Sequence, residues 1–264
     1  MLCLGLAGAW LGTTSGFRHT QGEGSSMNST TRARESSEHS KGRLAARPRR
    51  AQAAAPSGLR QLKLRGGRDG LVYAPAGVGE RRPAPLMLLL HGAGGNARNT
   101  VNLLRGHADK FGMILLVPDS RGVTWDVIEG GYGPDVAYID RALEKIFDSY
   151  NVDPSRVAVG GFSDGASYAL SLGATNGDLF THVVAFSPGF MAPASRHGSP
   201  ALFISHGTQD RVLPIDSCSR RIVPRVKGEG YKVLYREFEG PHAVPPEIAA
   251  EAVAWFLGAG AAVD

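Results

Sequence analysis

The sequence predicts an α/β protein: a mostly parallel, doubly wound sheet with helices on both faces. Three observations carry that expectation. Short apolar runs recur from residue 86 to residue 238, and segments with apolar residues at helical spacing follow them. Strands that alternate with helices in this way build parallel sheets. The runs themselves, such as Leu86-Met87-Leu88-Leu89-Leu90, lack polar alternation, as strands covered on both faces require.

Taken in order, Leu59-Arg60-Gln61-Leu62-Lys63-Leu64-Arg65 alternates apolar and polar and reads as a half-solvated edge strand. Gly66 to Gly70 is a turn, and Gly70 to Pro75 is the hairpin partner, so these two strands are the expected antiparallel exception. Leu86 to His91 and Gly112 to Pro118 are buried strands, with a helix from Asn99 to Phe111 between them. Gly133 to Tyr150 repeats Val136, Ile139, Leu143, Ile146 and Phe147 along one helical stripe. Strand 157–160, helix 164–176, strands 182–187 and 201–206, helix 216–228, strand 231–238 and helix 246–257 complete the series. Only about a dozen residues separate Ser187 from Ala201, which leaves no room for a large cap domain. Loop 121–132 is then the main cover expected over the site.

Chemistry concentrates at the ends of these strands. Gly161-Phe162-Ser163-Asp164-Gly165 lies between a buried strand and a helix, the setting of a nucleophile elbow. The turn is sharp enough to demand near side-chain-free neighbours, which the two glycines supply. Asp210 follows the strand Ala201 to His206, and His242 follows the strand that ends at Phe238. The order Ser163, Asp210, His242 matches one of the known arrangements of a nucleophile, acid and base. In this reading Ser163 attacks, His242 takes its proton and Asp210 orients the imidazole. The apolar strand before His91-Gly92-Ala93-Gly94-Gly95 makes that segment a source of oxyanion donors: the Ala93 amide helped by Gly94, joined by the Asp164 amide of the elbow. Of the other histidines, His91 and His206 each precede a glycine at a strand end and read as structural. Asp126 reads as a helix cap or loop anchor.

At these residues the chain resembles the α/β-hydrolase superfamily, and within it the phospholipase/carboxylesterase group, with similarity to polyhydroxybutyrate depolymerase-like and feruloyl-esterase-like enzymes. Asp119-Ser120-Arg121-Gly122-Val123-Thr124-Trp125-Asp126, Gly133 to Ile139 and Tyr150 to Val157 strengthen the likeness, which spans about residues 59–258. The resemblance implies a serine carboxylesterase acting on short- to medium-chain acyl or aryl esters. An acyl-thioesterase or lysophospholipase is the alternative within the group, and a non-catalytic receptor or scaffold on the same fold is the alternative outside it. It also implies that Trp125 lies beside the acyl pocket, as against an ordinary packing role. The partner expected is a small-molecule ester, with no cofactor and no metal; no H-E-x-x-H or similar ligand spacing occurs.

Composition separates residues 1–58 from the rest. The formal charge of the whole chain is +5, and it resides in this leader, where eight Lys/Arg face three Glu. The remainder is balanced, so a nucleic-acid partner is not expected. The leader is Ser-, Arg- and Ala-rich without periodicity, which predicts disorder over 12–58 and a catalytic domain over 59–264. Leu2 to Leu11 is too short to span a bilayer. An Arg- and Ser-rich, acid-poor extension ending in Ala51-Gln52-Ala53-Ala54-Ala55 suggests an organellar transit peptide; the alternatives are an irrelevant tail or mis-assigned start on a cytoplasmic protein, and secretion. Cys218 is the single cysteine beyond the leader, which favours a reducing compartment. Oligomeric state has no signal in the sequence.

Overall fold

The computed structural model describes residue 31 and residues 33–52, 55–64, 67–79 and 82–259. Within the first 34 residues, Thr31, Ala33 and Arg34 are exposed positions of a helical stretch. The apolar run Leu2–Leu11, Cys3 and the rest of that segment lie outside the described residues, as do Ala53, Ala54 and Gly66 of the expected leader end and turn.

The sheet has eight strands among the described residues: β1 (Gly58–Gln61), β2 (Gly70–Ala74), β3 (Ala84–Leu90), β4 (Ile114–Pro118), β5 (Val152–Phe162), β6 (His182–Phe186), β7 (Ala201–Gly207) and β8 (Val233–Phe238). Their spatial order is β1-β2-β4-β3-β5-β6-β7-β8. The pairs β1–β2 and β2–β4 are antiparallel and all others are parallel. The chain therefore carries the α/β-hydrolase type of sheet, and no cap domain is built onto it among the described residues. The edge strand β1 is shorter than expected because Lys63 takes a left-handed conformation (φ 53°) and the Lys63 and Leu64 amides turn to the Asp69 carboxylate.

Period-two alternation divides the core. Leu86, Leu88 and Leu90 of β3 point to one face with Val157, Val159, Leu202 and Ile204. Met87 and Leu89 point to the other with Ala158, Val184 and Phe203. The first face is covered by α4 (Pro134–Ser149), α5 (Asp164–Thr175) and α6 (Ser219–Gly228), the second by α1 (Ala97–Thr100), α2 (Arg105–Phe111) and α7 (Pro246–Phe256). A one-turn helix, α3 (Asp126–Glu129), lies in the loop after β4. Helix α4 starts with Pro134 at its first turn and buries Val136, Ile139, Leu143, Ile146 and Phe147, the stripe read from the sequence. No helix of the described residues is long and apolar enough to cross a membrane.

The expectation of disorder through residue 58 is corrected over residues 35–52, and the packed body begins near residue 35. This strap is held mainly by polar groups. Asp140 of α4 accepts the Ala45 and Ala46 amides (2.9 and 2.8 Å) and pairs with His39 Nε2 at 2.8 Å. Asn176, fully buried, accepts from the Leu44 amide and donates to the Gly42 carbonyl. Arg43 forks onto Asp178, and Arg49 pairs with Asp148. Leu44 and Ala46 complete the attachment by entering the first core. Composition argues only from apolar burial and misses a segment whose backbone is satisfied by side chains 94 or more positions away.

Candidate active site

Ser163 sits where β5 passes into α5 with φ 58° and ψ −122°, a conformation that a β-carbon strains. Its flanking glycines are fixed by close approach. A β-carbon at Gly161 would collide with the backbone of Gly165 and lie 2.9 Å from the Ala166 nitrogen. One at Gly165 would run into the Leu90 and His91 carbonyls of β3 and its loop. The elbow is locked further by the Ser163 amide donating to Phe186 O and by the Ser163 carbonyl accepting from Ala166 and Ser167. The Asp164 amide opens α5 and has no acceptor among the described residues, so it stands free as a donor.

Asp210 and His242 reach the same edge of the sheet from the ends of β7 and β8. His242 Nδ1 lies 2.5 Å from Asp210 Oδ2. A carboxylate accepts, so Nδ1 carries the hydrogen and Nε2 presents a lone pair. The imidazole also packs on Phe162, next to Ser163, with ring centroids 4.6 Å apart. Asp210 Oδ1 accepts the Val212 and Leu213 amides at 2.9 and 2.8 Å. Burial pushes the Asp210 carboxyl up, but the Leu213 amide and the His242 hydrogen bond outweigh it and hold the group below the ordinary aspartate value. The Ser163 hydroxyl makes no hydrogen bond to His242 or to any other described residue.

The segment His91–Gly95 runs over the elbow: a β-carbon on Gly92 would meet the Ser163 β-carbon at 3.3 Å. His91 is buried and holds the segment's entry. Its Nε2 accepts the Ser120 amide at 3.0 Å, so its Nδ1 donates to Gly92 O at 2.7 Å. Burial keeps this imidazole neutral by lowering its pKa. The Ala93 amide has no acceptor among the described residues and remains available. Gly94 departs from expectation. Its amide donates to the Val123 carbonyl at 2.9 Å, so it cannot act as an oxyanion donor in this conformation, and its left-handed φ of 66° explains the glycine.

Trp125 is likewise corrected. It is fully buried and cannot wall an open acyl pocket. Its Nε1 donates to His91 O at 2.8 Å, and its ring is stacked on Tyr168 and tilted against His91. It braces the segment His91–Gly95 through His91. The segment 119–126 fastens the site at further points that the sequence did not reveal. Arg68 donates to Gly122 O and, at 2.8 Å, to Gly95 O. Thr124 Oγ1 donates to the Asp164 carboxylate at 2.7 Å. Asp126 accepts the Gly133 and Asp135 amides, and Asp135 accepts those of Arg121 and Asp126. Asp126 is therefore a loop anchor. Burial drives the Asp135 carboxyl up to about 6, against the stabilising Arg121 amide and with help from the Asp126 charge.

The connection after β6 lies flat instead of forming a lid. Ser167 and Ser171 of α5 accept the Gly189 and Ala192 amides at 2.9 Å each, and Tyr132 donates to Ala192 O. His206, read as structural from its place before a glycine at a strand end, is buried, with Nε2 2.8 Å from Leu213 O and 3.2 Å from Asp210 Oδ2. Among the described residues no group of three His, Cys, Asp or Glu is placed to hold a metal ion. The thiol of Cys218 is buried.

The chain is similar in sequence and in fold to known esterases. The family described as Phospholipase/Carboxylesterase matches residues 136–249. Feruloyl esterase C of Emericella nidulans is 28% identical over 169 residues, which are 61% of this chain and 60% of that protein. An acetylxylan esterase of Coprinopsis cinerea is 31% identical over 186 residues, 64% of this chain and 46% of that protein. The chain thus spans less than two thirds of the length of these curated relatives. Among solved structures, esterase PE8 superposes with a TM-score of 0.59 at 22% identity, covering 72% of this chain and 97% of that one. A butyrate-bound thermophilic esterase from Thermogutta terrifontis gives 0.59 at 18% identity, covering 79% and 96%. These structures share the fold.

Proposed function

We propose that this chain, which has the α/β-hydrolase fold, is a serine carboxylesterase that hydrolyses short- to medium-chain acyl or aryl esters through a Ser163–His242–Asp210 triad. The observation that carries the reading is the 2.5 Å Asp210–His242 pair beside a strained, glycine-flanked Ser163. With its Nδ1 hydrogen on Asp210, His242 keeps Nε2 as the nitrogen that can accept a proton. Ser163 Oγ attacks the ester carbonyl carbon as its proton passes to that nitrogen. The C=O π pair moves onto oxygen, where the free amides of Ala93 and Asp164 receive the negative charge. The imidazolium, stabilised by Asp210, then gives its proton to the departing alcohol. Water repeats the sequence on the acyl-enzyme and returns the acid and free Ser163.

The absence of a cap among the described residues and the named relatives support small acyl or aryl groups. Feruloyl and acetylxylan esterases carry an aryl acid and an acetyl group in their names. Among the described residues, the two large apolar side chains left most exposed, Val123 and Val212 (71% and 67%), lie on the loop that holds Gly94 and on the loop that follows Asp210. Both offer apolar surface close to the reacting centre. The test is a panel of p-nitrophenyl esters of graded acyl length, together with methyl ferulate. Turnover of the short acyl and hydroxycinnamate esters, falling off for long chains, is expected. A folded chain that hydrolyses none of them would overturn the reading.

A further inference from the structure

We propose that His206, backed by Ser219, is a positioning residue for the Asp210 carboxylate, the proposal resting on Asp210 as the acid of the triad. His206 lies in β7, four residues before Asp210, and its side chain has no exposure. Its ring is satisfied on both nitrogens. Nε2 is 2.8 Å from the Leu213 carbonyl and 3.2 Å from Asp210 Oδ2. Both partners only accept, so Nε2 carries the hydrogen; it donates that hydrogen to Leu213 O and turns the same N–H edge to the Asp210 carboxylate at 3.2 Å. Nδ1 is then a lone-pair acceptor and takes the hydroxyl hydrogen of Ser219, 2.7 Å away at the start of α6. The donors run in one direction, from Ser219 to His206 to the Leu213 carbonyl, with Asp210 Oδ2 beside the last hydrogen.

The arrangement gives the carboxylate three hydrogen-bond donors and, at 3.2 Å, the N–H edge of a second imidazole. Its Oδ1 is held by two backbone amides, and its Oδ2 faces two imidazoles. Only the His242 imidazole lies on a loop and takes part in proton transfer. His206 is fixed in the sheet, so it keeps Oδ2 aimed when His242 moves or changes charge. It also draws part of the charge from the carboxylate, which limits how strongly Asp210 favours the imidazolium. The ionisable groups around it are Asp210, His242 and Glu237, its register partner on β8, which is itself paired with Arg220. Burial keeps His206 neutral by pushing its pKa down, against the pull of Asp210.

The experiment compares kcat/KM against pH on p-nitrophenyl acetate for the full-length chain, His206→Phe and His206→Gln. Phe removes the donor, which leaves Asp210 more basic and raises the pKa of His242. The acid limb should move up by about half to one pH unit, with kcat lowered and KM unchanged. Gln keeps an N–H near the Nε2 position and should bring the limb back toward wild type. A limb that stays in place in folded His206→Phe overturns the proposal, because a purely space-filling histidine would not move it. If the Phe variant does not fold, nitrogen-15 NMR of the wild-type chain decides. His206 should be the neutral Nε2–H tautomer throughout the titration of His242, and an Nδ1–H tautomer would overturn the assignment. Fluorophosphonate labelling of wild-type Ser163 is the control. Absence of label defeats the esterase reading, whereas label with an unmoved limb defeats only the role of His206.

Discussion

The elbow at Ser163 and the segment His91–Gly95 meet over the candidate site, yet different forces hold them. The elbow is fixed by exclusion. Its geometry follows from backbone packed against backbone, at Gly161 against Gly165 and at Gly165 against Leu90 and His91. The segment is fixed by attachment: Trp125 to His91 O, Arg68 to Gly95 O and Val123 O to the Gly94 amide. Behind Trp125 the bracing continues. Trp125 stacks on Tyr168, Tyr168 meets Tyr132, and Gly42 of the strap lies against the Tyr132 ring. An element held by exclusion breaks when atoms are added to it. An element held by attachment breaks when atoms are removed far from it. Substitutions can separate the two cases.

The largest effect concerns the chemistry both elements serve. Ser163→Ala should lower kcat by about 10⁶-fold while leaving the melting temperature near wild type, as read by ester hydrolysis and calorimetry. On the elbow, adding a single methyl group in Gly165→Ala should destabilise the chain by about 3 kcal/mol or more, measured by urea unfolding. A well-folded, active Gly165→Ala chain would show that the elbow is looser than its contacts imply.

On the attached side, a chain beginning at Pro56 loses the strap. Leu44 leaves the core, and Asn176 and Asp140 lose their partners. A loss of about 3 kcal/mol is expected, read from the same denaturant curves. Equal stability of the two chains would contradict the docking. Trp125→Phe keeps most of the ring contact and deletes only the bond to His91 O. It should cost about tenfold in kcat, the worth of one hydrogen bond of about 1.4 kcal/mol, with KM little changed. A shifted acyl-length preference at unchanged kcat would instead return Trp125 to the pocket.

The smallest effect is a pH dependence confined to the strap. Asp140 is lowered despite burial, by the His39 hydrogen bond and the Ala45 and Ala46 amides. Asp178 is lowered to about 2, first by its hydrogen bond to Arg43, with burial opposing and Arg47 assisting. Folded values below the unfolded ones mean that this stability is present above the ordinary aspartate pKa. It is lost as pH falls through the folded values. Hydrogen exchange at the Ala45 and Ala46 amides, corrected for intrinsic rate, should therefore lose protection below about pH 4 and not between pH 5 and 8.

These contrasts also explain what the sequence made legible. Both the sheet and the elbow are local: β3 is a continuous apolar run, and the elbow needs its glycines within two residues of Ser163. Asp210 and His242 are readable because each follows a strand, and strand ends share one edge of a parallel sheet. What the sequence hides depends on side chains reaching across long separations. Asp140 is 95 residues from Ala45 and Trp125 is 34 from His91, and neither separation has a period. Trp125 was expected at the pocket because it resembles the tryptophan that such esterases place beside the acyl chain, whereas an indole that needs a partner for its N–H can be a brace. Gly94 was expected to donate, but a glycine chosen for its φ need not have a free amide.

The central claim is that Ser163 is a nucleophile activated by His242 and Asp210. The direct measurement is labelling of the purified full-length chain with a fluorophosphonate, followed by mass spectrometry of the modified peptide. The account predicts one adduct per chain, on Ser163, formed rapidly by the wild type, strongly slowed in His242→Ala and absent in Ser163→Ala. An unlabelled wild-type chain, an adduct on another residue, or normal ester hydrolysis by Ser163→Ala would contradict it.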